Sequence, residues 1–209
     1  MSTATLASQT AFRGLLDAAA RPGTTVDLIQ PAARVAGTLG ESDKHAGLLL
    51  LAVTLLDAGT PCHVTGPDAT SVVRLIRRHT YAPEVALEDA RFVICTAPSA
   101  ARAAAKGANP GTLERPDLGA TVIVSVDALS GPLASEDTGA THTLTGPGID
   151  GHHHVQVDAD GDVLAGRDAH AGTYPQGIDM LLITSPGVVM ALPRTTVATH
   201  LNAGNGRHA

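Results

Sequence analysis

Two apolar runs near the end of the chain constrain its fold more than any other feature. Residues 180–184 and 188–192 are separated only by the Ser-Pro-Gly of residues 185–187. Apolar runs of this length joined by a Pro-Gly turn predict the two strands of an antiparallel hairpin. Counting outward from the turn places Asp179, at the start of the first strand, close to Arg194, after the second. We therefore expect these two residues to lie within salt-bridge distance.

The Asp179–Arg194 pair has two interpretations. If both side chains are partly buried they should pair, because an unpaired buried charge is costly. The pair is then either a structural salt bridge that fixes the hairpin or part of a ligand or subunit interface. Thr195 and Thr196, which follow directly, offer hydroxyl groups in either case.

Upstream of the hairpin, helical and strand-like segments alternate, which predicts an α/β fold with a partly parallel sheet. After residue 110 the segments are mostly strand-like with Gly/Pro loops, so the sheet should be mixed, parallel early and antiparallel late. The stretch 159–176 is rich in Gly, Asp and Ala and predicts a mobile surface loop with at most one helical turn. The predicted helices cover 8–20, 42–57, 68–79 and 99–106, and the predicted strands cover 24–30, 62–65, 91–96, 120–126, 141–145, 155–157, 178–184 and 188–192.

Composition limits the possible functions. The 209 residues are 44% hydrophobic but only 2% aromatic, with no Trp, so the core must consist of Ala, Val, Leu and Ile. Few aromatic side chains are available to stack on bases, and the formal net charge is −6 without a block of Lys or Arg. We therefore expect a protein that does not bind nucleic acid, and the length of 209 residues predicts one domain.

Neither a leader nor a membrane span is predicted. The longest apolar run, 48–56, contains Thr54 and is too short to cross a bilayer. Cys62 and Cys95 both fall in strand-like stretches and are interpreted as buried, reduced thiols that act as small hydrophobic residues. We expect a cytoplasmic protein without membrane contact.

Three consecutive histidines, residues 152–154, are the clearest candidate for metal binding. In a strand, His152 and His154 would share one face and lie close enough to bind one ion, because neutral imidazole is a good ligand for zinc. The alternative is a solvated polar patch at the start of a strand, and we favour it because no supporting carboxylate can be placed. We therefore predict no metal site, with His152 and His154 as the candidates if one exists.

His79, next to Arg77 and Arg78, is a candidate for anion binding, since Arg side chains match phosphate oxygens. The alternative is a basic helix C-terminus that complements the helix dipole. The Thr-Gly-Pro-Gly segment 145–148 offers an oxyanion cradle or, as we favour, a tight loop, because it lacks the Lys and the following helix of a phosphate-binding loop. The sequence shows no recognisable nucleophile motif, so the catalytic residues are unknown.

Six motifs resemble those of one family, in the same order along nearly the whole chain. The segments P-Q-G-I-D-M-L-L (175–182) and A-L-P-R-T-T (191–196) resemble motifs of the PhnH family. Members of this family are subunits of the bacterial carbon–phosphorus lyase system. The other four are F-R-G-L-L with P-G (12–16 and 22–23), L-L-D-A-G-T-P (55–61), H-T-Y-A-P (79–83) and L-T-G-P-G-I (144–149).

The resemblance implies a fold and the absence of a cofactor. Residues 1–209 would form a single PhnH-like domain, a three-layer α/β/α sandwich with a mixed sheet that resembles the large domain of pyridoxal-phosphate-dependent transferases. Pyridoxal phosphate itself is not expected. An aldimine needs a lysine, and the only two, Lys44 and Lys106, lie at predicted helix ends rather than after a strand.

The resemblance also implies a function and partners. The chain would be a non-catalytic or accessory subunit of the carbon–phosphorus lyase core complex, required for alkylphosphonate catabolism. The complex forms ribose 1-phosphonate 5-triphosphate from ATP and a phosphonate. Its partners would be the other core subunits, and the isolated chain would be a homodimer without activity of its own. His79, Asp179, Arg194, Thr195 and Thr196 are candidates for ligand or interface contacts. The alternatives are a stand-alone metal-assisted hydrolase, or a sensor, acting on a phosphate or phosphonate ligand.

Overall fold

A computed structural model describes residues 3–41, 43–159, 162–170 and 173–201. Its α-helices are α1 (Thr3–Ala20), α2 (Ile29–Leu39), α3 (Ala46–Leu55), α4 (Ala69–Thr80) and α5 (Ala101–Gly107). Its strands are β1 (Thr25–Asp27), β2 (Cys62–Thr65), β3 (Phe92–Cys95), β4 (Thr121–Val126), β5 (Ala128–Leu133), β6 (His142–Thr145), β7 (His153–Asp158), β8 (Asp179–Thr184), β9 (Val188–Leu192) and β10 (Val197–His200).

The main sheet is mixed and has six strands in the order β1-β9-β8-β4-β3-β2. Strands β2, β3, β4 and β8 run parallel to one another, whereas β9 is antiparallel to both β8 and β1. The hairpin predicted from the sequence is β8–β9, and Met180 pairs with Leu192 in the expected register. The strands that come early in the chain pair in parallel, as predicted. The late strand β8 also pairs in parallel, with β4.

A second, antiparallel sheet contains the other four strands in the order β10-β6-β7-β5. We expected one sheet, and this expectation is wrong. Strands β5 and β10 were not predicted, because β5 contains Gly131 and Pro132 and β10 is short and mostly exposed. Both strands are stabilised by pairing with neighbouring strands rather than by an apolar pattern of their own.

The main sheet separates two apolar clusters because alternate residues of each strand point to opposite faces. Ile94, Ile123 and Ile183 pack on one face with α1, α2, α3 and α4. Val93 and Val122, on the other face, pack with α5 and with the second sheet. The predicted α/β/α sandwich is therefore correct for the mixed sheet and one helical layer. Its third layer differs, because the second sheet supplies most of it.

The stretch 159–176 is more ordered than predicted in its described part. Residues Ala165–His170 form a 3₁₀ helix of six residues, which is longer than the one helical turn expected. Val163, Leu164 and Arg167 are buried, so residues 162–170 pack against the core and the expectation of a surface loop is wrong there. The 3₁₀ helix packs against α5.

Both cysteines are free and buried, as predicted. Burial raises the pKa of Cys62 to about 11, with the negative charge of Glu84 adding to the effect. Burial alone raises the pKa of Cys95 to about 12. Neither thiol therefore ionises near neutral pH, which fits packing roles. Among the described helices, none has the length and apolar character needed to span a membrane.

Candidate functional site at the end of the late hairpin

Asp179 and Arg194 form the predicted salt bridge across the open end of the β8–β9 hairpin. Arg194 Nη2 lies 2.7 Å from Asp179 Oδ2, and Nε lies 3.4 Å from Oδ1. The backbone N–H of Arg194 also donates to Asp179 Oδ1 at 2.8 Å. The two side chains are 17% and 34% exposed, so the pair is partly buried. This fork-shaped, charge-assisted contact fixes the direction in which the chain leaves β9.

Arg194 also binds two other segments of the chain. Its Nη1 donates to the carbonyl oxygens of Pro116 at 2.8 Å and Pro175 at 3.3 Å. A Cβ on Gly119 would lie 2.8 Å from that nitrogen, and a Cβ on Gly177 would lie 3.1 Å from Arg194 Cβ. The Arg194 side chain thus passes two glycines, Gly177 at its aliphatic part and Gly119 at its guanidinium. Gly177 has a φ of +140° that side chains rarely adopt. We call the contacts of Arg194 with Asp179, Pro116 and Pro175 the arginine clamp.

Arg167 also contacts residues 193–196, the segment that follows β9 and contains Arg194. Its Nη2 donates to the carbonyl oxygens of Pro193 at 2.7 Å and of Thr196 at 3.2 Å. The residue is 8% exposed. Sequence reasoning missed Arg167 because it lies in a Gly/Asp/Ala-rich stretch that has no motif character. Only the packing of residues 162–170 against the core brings it to the hairpin.

A pocket of about 270 Å³ lies beside the arginine clamp. It combines the guanidinium groups of both arginines with small polar side chains and an exposed apolar rim. Tyr174 is 73% and Val197 61% exposed. Thr196 Oγ1 is buried and has no hydrogen-bond partner among the described residues. The full lining is Arg167, His170, Tyr174, Gln176, Gly177, Ile178, Arg194, Thr195, Thr196 and Val197.

Most polar groups around this pocket are engaged in the fold itself. His170 Nε2 lies 3.0 Å from the carbonyl oxygen of Ala105, and Gln176 Nε2 donates to the carbonyl oxygen of Gly111 at 3.0 Å.

The 145–148 segment is a tight loop, as favoured, because the Ile149 N–H donates to the carbonyl oxygen of Gly146 at 3.2 Å. A Cβ on Gly146 would lie 2.7 Å from the Thr195 carbonyl, so this loop supports the Thr-Thr segment. The arrangement suits recognition of a small polar group more than bond-making chemistry.

His79 lies elsewhere, at the end of α4. Its Nε2 is 2.9 Å from Glu41 Oε1, and Arg78 reaches the same oxygen at 3.3 Å. Both basic side chains thus share an internal carboxylate, and Glu41 is not among the pocket residues. The candidate anion-binding residues Arg78 and His79 therefore have a structural partner. Binding of a ligand by His79 stays a prediction.

The three histidines 152–154 divide between two environments. The rings of His152 and His154 are 4.7 Å apart, as close as expected, although β7 begins only at His153 and His152 precedes it. His154 Nδ1 lies 3.2 Å from Thr143 Oγ1, and His153 Nδ1 lies 2.9 Å from the carbonyl oxygen of Pro22. Within the described ranges, the His, Cys, Asp and Glu side chains that could hold an ion in a group of three are instead His142, Asp162 and His200. Their separation along the chain gave no sequence pattern.

The two lysines do not fit a pyridoxal phosphate aldimine. Lys44 Nζ forms an ion pair with Asp68 at 2.8 Å and its side chain is 65% exposed. Lys106, in the last turn of α5, is also exposed. A lysine that forms an aldimine is activated by burial or by a neighbouring cation, and neither environment provides this.

Comparison with known proteins gives matches over nearly the whole chain. The family model described as bacterial phosphonate metabolism protein (PhnH) matches residues 1–199. A C-P lyase subunit protein, HtxG, from Stutzerimonas stutzeri is 29% identical over 199 residues, covering 93% of this chain and 85% of the relative. The PhnH subunit of alpha-D-ribose 1-methylphosphonate 5-triphosphate synthase from Rhizobium meliloti is 32% identical over 194 residues, covering 90% and 88%.

Proposed function

Because this chain belongs to the PhnH family of bacterial phosphonate metabolism proteins, we propose that it is an accessory subunit of a carbon–phosphorus lyase core complex. In that role it takes part in making a ribose 1-phosphonate 5-triphosphate from ATP and an alkylphosphonate. The observation that carries the proposal is the match, over 90% or more of the chain, to relatives that are themselves named as subunits of such systems.

The contacts of the motif residues support an accessory rather than a catalytic role. Arg194 is committed to the arginine clamp, and Asp179 accepts its hydrogen bonds. Thr80, in the H-T-Y-A-P motif, donates to Ile76 and accepts from the Ala82 N–H. Residues held in this way stabilise the shape of a surface, and a fixed surface is what assembly with other subunits needs.

We infer further that the isolated chain forms a homodimer and works in the cytoplasm, where its two thiols stay reduced. The exposed face of α1 is a candidate dimer contact, because Phe12 is 49% and Leu16 56% exposed one helical turn apart. We also propose that the chain has the fold of the large domain of pyridoxal-phosphate-dependent transferases and does not bind the cofactor.

The role is tested by complementation in a phosphonate-utilising bacterium that lacks its own PhnH-type subunit. The untagged chain is supplied on a plasmid, and growth is measured on methylphosphonate and on inorganic phosphate as sole phosphorus sources. We expect growth on both, and co-purification of the other core subunits when one of those subunits is tagged. Growth on phosphate alone, without co-purification, contradicts the proposal.

The alternative of a stand-alone hydrolase or sensor is tested with the purified chain. We expect no turnover of ATP plus methylphosphonate, nor of an activated phosphate ester, and no tight binding of phosphonate or nucleotide in the absence of partners. Steady turnover that co-elutes with the protein and survives further purification would establish the hydrolase. Tight binding without turnover would establish the sensor.

A further inference from the structure

The second sheet brings two histidines together at one point. Strands β6 and β10 are antiparallel, and His142 pairs directly with His200 in their register. Directly opposed residues place their side chains on the same face of a sheet. The two rings pack edge to face with their centroids 5.0 Å apart.

A carboxylate completes the group. Asp162, from the segment after β7, places Oδ1 3.1 Å from His142 Nε2. One nitrogen from each histidine and one Asp162 oxygen all lie within 4.8 Å of one another. His142 is 3% exposed, so one ligand position is fixed by the core, whereas His200 is exposed and free to adjust.

Contacts behind the group orient its members as in protein metal sites. His142 Nδ1 lies 2.9 Å from Thr141 Oγ1, and that hydroxyl oxygen also accepts from the Val157 N–H at 2.9 Å. Asp162 Oδ1 accepts the N–H groups of Leu164 and Ala165 at 3.0 and 3.1 Å. A ligating histidine usually has its second ring nitrogen held by such a partner, which fixes the ring plane and the tautomer.

We propose that His142, Asp162 and His200 form a binding site for a divalent transition-metal ion, with Zn²⁺ as the best fit. Two imidazoles and one carboxylate are ligands that zinc accepts, and three protein ligands leave a fourth position for water or a partner group. Zinc–nitrogen and zinc–oxygen distances of about 2.0–2.2 Å at tetrahedral angles separate ligand atoms by roughly 3.3–3.5 Å. The 3.1 Å between His142 Nε2 and Asp162 Oδ1 needs an adjustment of only a few tenths of an ångström, and the exposed His200 side chain would move to bring its nitrogen in from within 4.8 Å.

A metal at this point would connect the site to the pocket. Asp162 begins the segment that carries Arg167, and His200 ends the strand that starts at Val197. Arg167 and Val197 both line the pocket. The ion would tie this segment to β10 and so hold two walls of the pocket in place. The inference rests on local geometry alone and stands whether or not the chain is a complex subunit.

The test is zinc binding to the untagged full chain, stripped with a chelator, measured by calorimetry and by the visible spectrum of Co²⁺ used in place of Zn²⁺. We expect one ion per chain and a Zn²⁺-dependent rise in Tm. His200→Ala should weaken binding by more than the roughly 10–100-fold that loss of a supporting contact costs. Asp162→Asn should also weaken it, and Thr141→Val should weaken it within that range. Circular dichroism confirms that each variant is folded.

The matched control is the double variant His152→Ala/His154→Ala, which removes the other close pair of histidines. It should bind Zn²⁺ like the wild type. The proposal is overturned if the wild type binds no Zn²⁺ at micromolar concentration, or if His200→Ala and Asp162→Asn bind as tightly as the wild type. It is also overturned if the control variant loses the site, because the ion would then belong to the 152–154 patch.

Discussion

Arg194 shows how one side chain can join three segments that are far apart in the sequence. Its guanidinium reaches Asp179 at the start of β8, Pro175 just before it, and Pro116 far upstream. The prediction of a salt bridge came from counting residues around the turn. The contacts with Pro116 and Pro175 had no sequence signal, because they are made to backbone carbonyls, which every residue has.

Asp179→Asn should lower the free energy of unfolding by about 1–3 kcal/mol, the cost of stranding a partly buried charged hydrogen-bond partner. A fully buried pair would cost more, about 3–5 kcal/mol, but Asp179 is 34% exposed. The measurement is urea unfolding of Asp179→Asn, Arg194→Gln and the double variant. Because the two side chains share one interaction, the double variant should lose less than the sum.

Strict additivity in this cycle would show that the salt bridge contributes nothing. Variants as stable as the wild type that fail in complementation would instead assign the pair to an interface with another subunit.

At the level of elements, α2 and β10 show why local pattern was insufficient. Pro31 and Gly37 both lie inside α2, and each predicts against a helix. Pro31 is tolerated because it falls in the first turn, where its missing N–H has no partner to lose. The helix forms because Ala32, Val35 and Ala36 are buried in the core. Strand β10 exists because β6 offers it a hydrogen-bonding edge.

Gly119→Ala tests the packing of the arginine clamp. Gly119 has a φ of −57°, which alanine adopts without strain, so any loss must come from the crowded Cβ. That atom would lie 2.5 Å from the Gly177 carbonyl oxygen and 2.8 Å from Arg194 Nη1. We expect a loss of about 1–3 kcal/mol on urea unfolding, as for overpacking in general.

Gly37→Ala is the matched control for this substitution. It adds the same methyl group inside α2, where no atom lies within 4 Å of the new Cβ. It should be neutral or stabilise by up to about 1 kcal/mol, because alanine favours the helix. Equal effects of the two substitutions would contradict the crowded passage inferred for Arg194.

At the level of the whole molecule, the mixed sheet carries α1 to α4 on one face and α5 with the second sheet on the other. This arrangement leaves the outer face of α1 without a described cover. Phe12 and Leu16 on this face belong to the F-R-G-L-L motif. Exposed apolar side chains of this size, one turn apart, are the kind that a symmetric dimer buries.

Phe12→Glu/Leu16→Glu should convert the predicted dimer to a monomer, because it places two charges in the apolar contact. Sedimentation velocity at micromolar concentration measures the change. Leu113→Glu is the control, since Leu113 is 65% exposed in a different part of the chain. A wild type that sediments only as a monomer would refute the dimer. A variant that remains dimeric would show that the dimer contact lies outside the Phe12 and Leu16 face of α1.

The sequence by itself determined the elements whose cause is local. The hairpin followed from two apolar runs and a Pro-Gly turn, the parallel strands from short apolar stretches between helices, and the Asp179–Arg194 bridge from their register. Only the tertiary structure decided the division into two sheets, the approach of Arg167 to the hairpin, and the meeting of His142, Asp162 and His200. The reason is physical: periodicity records which face of an element is buried. It carries no information on which distant backbone edge or side chain will lie against that element.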